Sequence, residues 1–276
     1  MNNVAKLYKN ISNMKIGIIG QGFVGNAVFQ KFKFFFEVYT YDILSELCNS
    51  TYQELVENCN IIFVCVPTPM NKDGSCHTDI LKEVLSKLNK YSNAITVIKS
   101  TVVPGTTEKF NKQFKRIQIV FNPEFLTERN AVEDFNNQDR IILGGPRPVT
   151  TKLKQLYSKV FPNAHLIKTG STHAEMIKYF TNCFLATKVS FANEMHELCK
   201  ALNLDYDKVV EYASLDNRLG KSHWSVPGPD GDFGFGGHCF PKDLSAIINL
   251  TANLRTTNNV LKATKQTNDE LRRNRD

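Results

Sequence analysis

Among the side chains able to do covalent chemistry, Cys239 stands out. It lies in Gly234-Phe-Gly-Gly-His-Cys-Phe-Pro-Lys-Asp243, a glycine-rich loop placed to open a helix. A thiol near a helix N-terminus and beside cations ionises more readily, and the thiolate is the nucleophile. His238 and Lys242 are such neighbours. On composition alone, Cys239 reads equally well as an inert loop cysteine. A second segment, Gly20-Gln-Gly-Phe-Val-Gly25, has the spacing GxGxxG directly after an apolar run. There Gly20 allows a tight turn, Gly22 lets backbone approach a pyrophosphate and Gly25 lets a helix pack closely on a strand. Phe23 and Val24 then open a helix whose free N–H groups and positive dipole end suit phosphates. Asp42 lies 22 residues beyond Gly20, at the end of the next strand-like run. An acid at that point accepts ribose hydroxyls and repels a 2′-phosphate, which favours NAD over NADP.

These residues need a scaffold, and the hydrophobic pattern predicts one. Lys15–Ile19, Val38–Tyr41, Ile61–Val66 and Ala94–Ile98 read as strands, with further candidates at Ile117–Phe121, Arg140–Leu143 and His165–Ile167. Amphipathic stretches lie between them, such as Thr78–Leu88 with Ile80, Leu81, Val84, Leu85 and Leu88 on one face. Apolar strands alternating with helices predict a parallel sheet covered on both sides. At Gly170 the texture changes. Ser171 can cap a helix that runs without Gly or Pro to about Leu202, with Glu175 just inside its start. The loop Val226–Gly237 is too rich in Gly and Pro for regular structure. A helix is expected from Lys242, and another from about Thr257. The predicted organisation is an N-terminal extension (1–13), a Rossmann-like, doubly wound α/β domain (14–170) that binds NAD, and an all-helical region (171–276) carrying the Cys239 loop.

Taken in order, several segments resemble the UDP-glucose/GDP-mannose dehydrogenase family, whose pattern around the thiol is close to GFGGxCFPKD. They are Val64-Cys-Val-Pro-Thr-Pro69, Lys99-Ser-Thr-Val102, Asn122-Pro-Glu-Phe-Leu-Thr-Glu128, Ala174-Glu-Met-Ile-Lys-Tyr-Phe-Thr-Asn182 and Asp216-Asn-Arg-Leu-Gly220. The resemblance runs from about Lys15 to the C-terminus, and it adds a substrate and dimerisation role to the all-helical region. It implies oxidation of a sugar C6 alcohol by NAD, capture of the aldehyde by Cys239 as a thiohemiacetal, a second hydride transfer to give a thioester, and hydrolysis to the acid. It assigns Lys178 and Asn182, one helical turn apart, to the developing oxyanion. Glu124 becomes the base for hydrolysis, and Asp243 and Thr101 position water. Pro67, Thr68, Thr101 and Lys242 join the fingerprint in holding NAD. Phe125, Leu126, Glu128, Arg218, Phe235, Gly236 and Gly237 join Glu124, Lys178 and Asn182 around the nucleotide sugar. Without the resemblance each has a plainer reading: Lys178 and Glu128 as surface charges, Asn182 as a surface amide, Thr101 as a strand end.

Composition is consistent with this. The 276 residues carry a net charge of +7 and are 42% hydrophobic, the make-up of a globular chain of one large or two smaller domains. A basic balance fits anionic small molecules; the densest basic run, Arg272, Arg273 and Arg275, reads as a solvated helix end, so no nucleic-acid partner is expected. Seven cysteines without a CxxC pair suggest reduced, mostly buried thiols and a cytoplasmic setting, with no metal site. Residues 1–13 lack the apolar core of a signal peptide, and no window approaches 18 apolar residues, so no membrane span is expected.

The departures from the family pattern are specific. His238 stands where a small residue is common, and either assists the thiol or crowds it. The stretch after Asp42 is short, leaving the adenosine side less enclosed. The chain stops at Asp276, where Asn268–Arg273 resembles the first turns of the family's dimerisation helix. A second, nucleotide-binding domain is then expected to be missing or supplied by a separate chain, and a homodimer through the helical region is expected to place Arg218 across the interface. UDP-glucose is the preferred substrate, within a role in nucleotide-sugar metabolism and polysaccharide biosynthesis. GDP-mannose or a UDP-N-acetyl sugar is the alternative. The rivals are a β-hydroxyacid dehydrogenase, which shares the fold and a Lys/Asn helix pair but uses no cysteine, and a catalytically weak NAD-binding protein.

Overall fold

The computed structural model describes residues 13–273; the expected N-terminal extension lies almost wholly outside them. The chain forms two compact units. The first contains the described residues up to Pro69 and His77–Lys178; the second contains Met70–Cys76 and the described residues from Tyr179 onward.

In the first unit a seven-stranded sheet has the order β2-β1-β3-β4-β5-β6-β7. Its strands are β1 (Lys15–Ile19), β2 (Glu37–Tyr41), β3 (Ile61–Val64), β4 (Ile95–Ile98), β5 (Gln118–Phe121), β6 (Arg140–Gly144) and β7 (His165–Thr169). All neighbours are parallel except β5 and β6, which meet antiparallel at Phe121 and Gly144. The expected all-parallel sheet therefore holds for β1–β5, and β6–β7 form a parallel pair of opposite sense. The two-residue period of a strand sorts the core. Ile16, Ile18, Ile61 and Phe63 join one apolar layer, while Ile19, Ile62 and Val64 join the other. On the first layer Phe32 meets Phe63 edge-on, with ring centres 5.2 Å apart.

Helices cover both faces: α1 (Phe23–Phe32), α2 (Tyr52–Asn58), α3 (Asp79–Tyr91), α4 (Thr106–Gln113), α5 (Ala131–Asn136) and α6 (Arg147–Val160). Helix α2 starts on a capping box in which Thr51 and Glu54 satisfy each other's backbone N–H. In α3, Leu81, Leu85 and Leu88 are buried but Ile80 turns to solvent at 40% exposure. Ile80 and Leu81 are adjacent, about 100° apart around the axis, and only a narrower stripe than the sequence suggested fits against the sheet. Ile167 is likewise exposed, because β7 is the sheet's edge.

The second unit is helical. Helix α7 (Ser171–Ala201) runs through the division between the units, and its 31 residues match the expected uninterrupted helix. It is followed by α8 (Tyr206–Ala213), α9 (Cys239–Asn253) and α10 (Asn259–Arg273). Asn268–Arg273 lie within a helix that begins at Asn259. Phe180, Phe184, Phe191 and Leu198 lie exposed along one side of α7, at spacings that return to the same face of a helix. No helix among the described residues is long and apolar enough to cross a membrane.

Candidate functional site

The first unit presents its chemistry where the chain reverses between β1 and β3, at the C-terminal ends of the strands. That crevice is where open α/β sheets take ligands. Gly20 turns there with φ of +91°, and a side chain on it would sit 2.7 Å from the Cys65 carbonyl. A Cβ on Gly25 would meet the Gly20 carbonyl at 1.9 Å, whereas one on Gly22 would meet nothing within 4 Å. The first and third glycines are therefore fixed by packing, and the second leaves an open backbone face. Phe23 and Val24 form the first turn of α1. Asp42 at the end of β2 accepts from the Gln21 N–H at 2.6 Å and the Leu44 N–H at 3.0 Å. A cavity of about 610 Å³ adjoins this turn, lined by Gln21, Gly22, Phe23 and Asn26 on one side and by Leu47 and Cys48 on another. The short stretch after Asp42 thus supplies a wall. A cradle open at Gly22, a carboxylate beside it and a helix N-terminus fit a dinucleotide. The neighbouring loops are pinned together: Ser100 donates to the Val66 carbonyl at 2.6 Å and Thr68 to the Thr101 carbonyl at 2.8 Å. Pro67 is exposed between them.

After β5, the segment beginning at Asn122 carries a buried polar cluster. Lys178 donates to the Glu124 carbonyl at 2.6 Å and pairs with its carboxylate at 3.0 Å, both side chains being buried. The other Glu124 oxygen accepts from the Leu126 N–H at 2.8 Å. Burial alone would raise the Glu124 pKa, but the Lys178 charge and these hydrogen bonds together hold it below the ordinary carboxylate value. Glu124 is therefore ionised and able to accept a proton, though as a weakened base. Phe125 and Leu126 are half-buried, and Lys178 and Arg140 both lie over the Phe125 ring. Glu128 is exposed further along the loop.

The residue beneath this pair enters the sequence pattern only as the start of Lys99-Ser-Thr-Val102, with no role of its own. Lys99 is fully enclosed and donates to Asn122 at 2.9 Å, and Tyr157 donates to the same Asn122 oxygen. Burial brings the Lys99 ammonium down to about 8. A lysine continuing the apolar run Ile95–Ile98 was the available signal. Glu175 lies near its helix start as expected, and its carboxylate accepts the Gly105 and Thr107 N–H groups, at 2.6 and 2.7 Å, at the N-terminus of α4.

In the second unit, α9 begins at Cys239 itself, three residues earlier than expected. The reason is local. Pro241 stops a helix interior but is tolerated in a first turn, where its missing N–H has no intrahelical acceptor. The thiol therefore belongs to the mouth of the helix. His238 is the exposed N-cap residue and does not cap with its side chain. One turn on, Asp243 is 1% exposed; it accepts from Asn182 at 2.6 Å and pairs with Lys242 at 2.5 Å. The two donors assigned to an oxyanion, Lys178 and Asn182, are thus each engaged with a carboxylate.

Arg218 is exposed and gripped by Asp216 in its own turn, which in return holds the Asp216 carboxyl below its ordinary range. That turn is anchored by Lys188, which donates to the Leu219 and Gly220 carbonyls at 2.9 and 3.3 Å. Phe235 is buried, and Gly236 and Gly237 lead outward to the thiol. Arg272 is not the solvated helix end the sequence suggested: it pairs with Asp230 at 2.8 Å and Asp232 at 3.2 Å. It sits one turn from Asn268 on the face of α10 turned to the glycine loop. Cys48, Cys59, Cys65, Cys183 and Cys199 are free thiols, and Cys59, Cys183 and Cys199 are buried.

Comparison with known proteins bears on this arrangement. The NAD binding domain of the UDP-glucose/GDP-mannose dehydrogenase family matches residues 37–161, and the central domain of that family matches residues 172–270. A UDP-glucose 6-dehydrogenase of Rickettsia bellii is 35% identical over 229 residues, covering 80% of this chain and 52% of that protein. The chain thus spans about half the length of that relative. A solved UDP-glucose dehydrogenase of Pyrobaculum islandicum superposes with a TM-score of 0.84 at 29% identity, over 94% of this chain and 69% of that one. A 3-hydroxyisobutyrate dehydrogenase of Mycobacterium tuberculosis shares the fold at 14% identity, with a TM-score of 0.75 and 92% of each chain covered.

Proposed function

Since the chain belongs to the UDP-glucose/GDP-mannose dehydrogenase family, we propose that it serves the NAD-dependent oxidation of a nucleotide sugar's primary alcohol to the acid, with UDP-glucose preferred. GDP-mannose and UDP-N-acetyl sugars are the alternatives. The observation that carries this reading is Cys239 as the first residue of α9. The two-domain fold is shared with a 3-hydroxyisobutyrate dehydrogenase, so the fold alone does not distinguish a thiol enzyme from a simple alcohol dehydrogenase. A thiol at the N-terminus of a helix, where free N–H groups favour the thiolate, does.

Gly20, Gly22, Gly25, Phe23, Val24 and Asp42 would hold NAD, with Pro67, Thr68, Thr101 and Lys242. Bound there, the cofactor supplies a hydride acceptor for each of the two oxidations. The chain's own residues do the rest. Loss of hydride and a proton from the alcohol leaves an aldehyde. The Cys239 sulfur adds to its carbon, and the carbonyl oxygen takes up a proton as the thiohemiacetal. Loss of a second hydride and a proton gives the thioester. Water then attacks, the carbon–sulfur bond breaks, and the acid leaves with the thiol restored. Lys178 and Asn182 stabilise negative charge on the sugar oxygen, Glu124 accepts the proton of the attacking water, and Asp243 and Thr101 orient that water. Phe125, Leu126, Glu128, Phe235, Gly236 and Gly237 line the sugar. Arg218 contributes from a second copy, docked along the exposed apolar side of α7. The free thiols of Cys48, Cys59, Cys65, Cys183 and Cys199 support a cytoplasmic setting.

The test is stoichiometry. UDP-glucose with excess NAD is expected to give two NADH per sugar and the free acid. The measurement is made on the chain alone and with a second polypeptide carrying the part of the relatives it does not span. One NADH per sugar with accumulation of aldehyde, or turnover retained by Cys239→Ala, would remove the thiol from the mechanism. Absence of turnover with UDP-, GDP- and N-acetyl sugars under both conditions would remove the activity.

A further inference from the structure

The loop that delivers Cys239 has no regular structure of its own, and ordering such a loop costs backbone entropy at every residue. Something must fix it, and the bonds that do so come from two helices. From α7, Asn193 is 2% exposed and its side-chain oxygen accepts the Gly234 N–H at 3.0 Å. From α10, Asn268 acts as a strand would: its oxygen accepts the Phe235 N–H at 2.7 Å and its amide donates to the Phe235 carbonyl at 3.0 Å. One turn further along α10, the Arg272 guanidinium spans Asp230 and Asp232. The fit is close. Gly234 has φ of +69°, and a side chain there would come within 2.4 Å of the Asn268 oxygen. A Cβ on Gly236 would lie 3.0 Å from both the Arg272 guanidinium and Asp230.

We infer that Asn268 and Arg272 are positioning residues for the thiol: one face of α10 holds the loop between Asp230 and Gly236 and so keeps Cys239 in the first turn of α9. They act through the loop backbone. The inference rests on the proposed role of Cys239, and it adds that the reactivity of this thiol is set from the C-terminal helix.

Alkylation of the full chain by iodoacetamide at pH 7, resolved by peptide mass spectrometry, reads this directly. Cys59 and Cys183 are internal standards, since burial pushes both thiols up to about 12; labelling of either reports general unfolding. Asn268→Ala and Arg272→Ala let the loop and first turn fray, so Cys239 loses the stabilisation its thiolate draws from the helix end. Its alkylation is expected to slow by about 2- to 5-fold, the effect typical of a helix terminus, with Cys59 and Cys183 still protected. Arg272→Lys keeps the charge and is expected to keep most of the rate. If Asn268→Ala exposes the standards, the Arg272 pair decides, because its ion pairs are half-exposed and their loss leaves the core intact. An unchanged or faster Cys239 rate in Arg272→Ala with the standards protected would overturn the inference. Turnover is not part of the readout, so failure of the proposed activity and failure of this inference remain distinguishable.

Discussion

Removing the amine opposite Glu124 is a severe test of the buried pair. In Lys178→Met the methionine fills similar space, but the Glu124 carboxylate, 5% exposed as a side chain, loses its counter-charge at 3.0 Å. Breaking a buried pair from one side typically costs about 3–5 kcal/mol, because the remaining charge is uncompensated. At about 2–4 °C per kcal/mol for a chain of this size, Tm is expected to fall by roughly 6–20 °C at pH 7. The double variant Lys178→Met/Glu124→Gln leaves no buried charge at this pair and should recover much of the loss. The sign of the pH dependence sharpens the test. In the unmodified protein the folded Glu124 pKa is depressed. The pair's contribution is therefore present above the unfolded carboxylate value and lost as pH falls through the folded one. In Lys178→Met, burial is left to act without the cation, the folded pKa rises above the unfolded value, and the penalty grows as pH rises. The gap between single and double variants, followed by thermal melts from pH 4 to pH 8, is thus expected to be small at the acid end and widest at neutral pH. A gap that does not change with pH, or a single variant as stable as the parent at pH 7, would refute the claim that the two charges depend on each other.

Other outcomes follow from the same geometry. On the proposed role of Asp42, Asp42→Ala removes a charged acceptor of ribose hydroxyls; NAD binding followed by titration calorimetry should weaken by about 10- to 100-fold, and the preference for NAD over NADP should narrow. Equal binding of NADP by the unmodified chain would contradict it. Cys239→Ser is expected to abolish acid production, while the parent treated with UDP-glucose and NAD shows a sugar adduct on Cys239 by mass spectrometry; an adduct on another cysteine would move the nucleophile. Phe180→Glu combined with Phe184→Glu should weaken self-association by about 100-fold or more, since each ring buries a large apolar area. Sedimentation showing a monomeric parent at every concentration would remove the α7 face as a dimer surface.

What the sequence made legible was whatever repeats with a short period or sits in one short segment. The strands declare themselves because apolar residues run without break through β3 and, but for Thr96, through β4, and the uninterrupted span from Ser171 declares α7. The tight turn at Gly20 and the close packing at Gly25 were legible because the GxGxxG spacing sits in one short segment at a strand end. Polar pairing across long separations was not legible. Lys178 reaches Glu124 across 54 residues and Asn182 reaches Asp243 across 61, and no local pattern encodes either meeting. Family resemblance selected these four residues as chemical groups but did not show that each assigned oxyanion donor is held by a carboxylate. The burial of Lys99 was not legible for a related reason: a lysine at a strand end is ordinarily solvated, and here Asn122 accepts from its ammonium while the Phe135 ring lies against it. Arg272 was misread because charge at a chain end is usually a solvated face, and its partners lie in a loop 40 and 42 residues earlier. The start of α9 was expected at Lys242, three residues late, although in a first turn Pro241 costs the helix no hydrogen bond. That correction bears most on function. A thiol three residues ahead of a helix would owe its reactivity to its neighbours in the loop, whereas a thiol in the first turn draws on the helix itself. Its reactivity then depends on whatever keeps that turn wound, which in this chain includes Asn268 and Arg272.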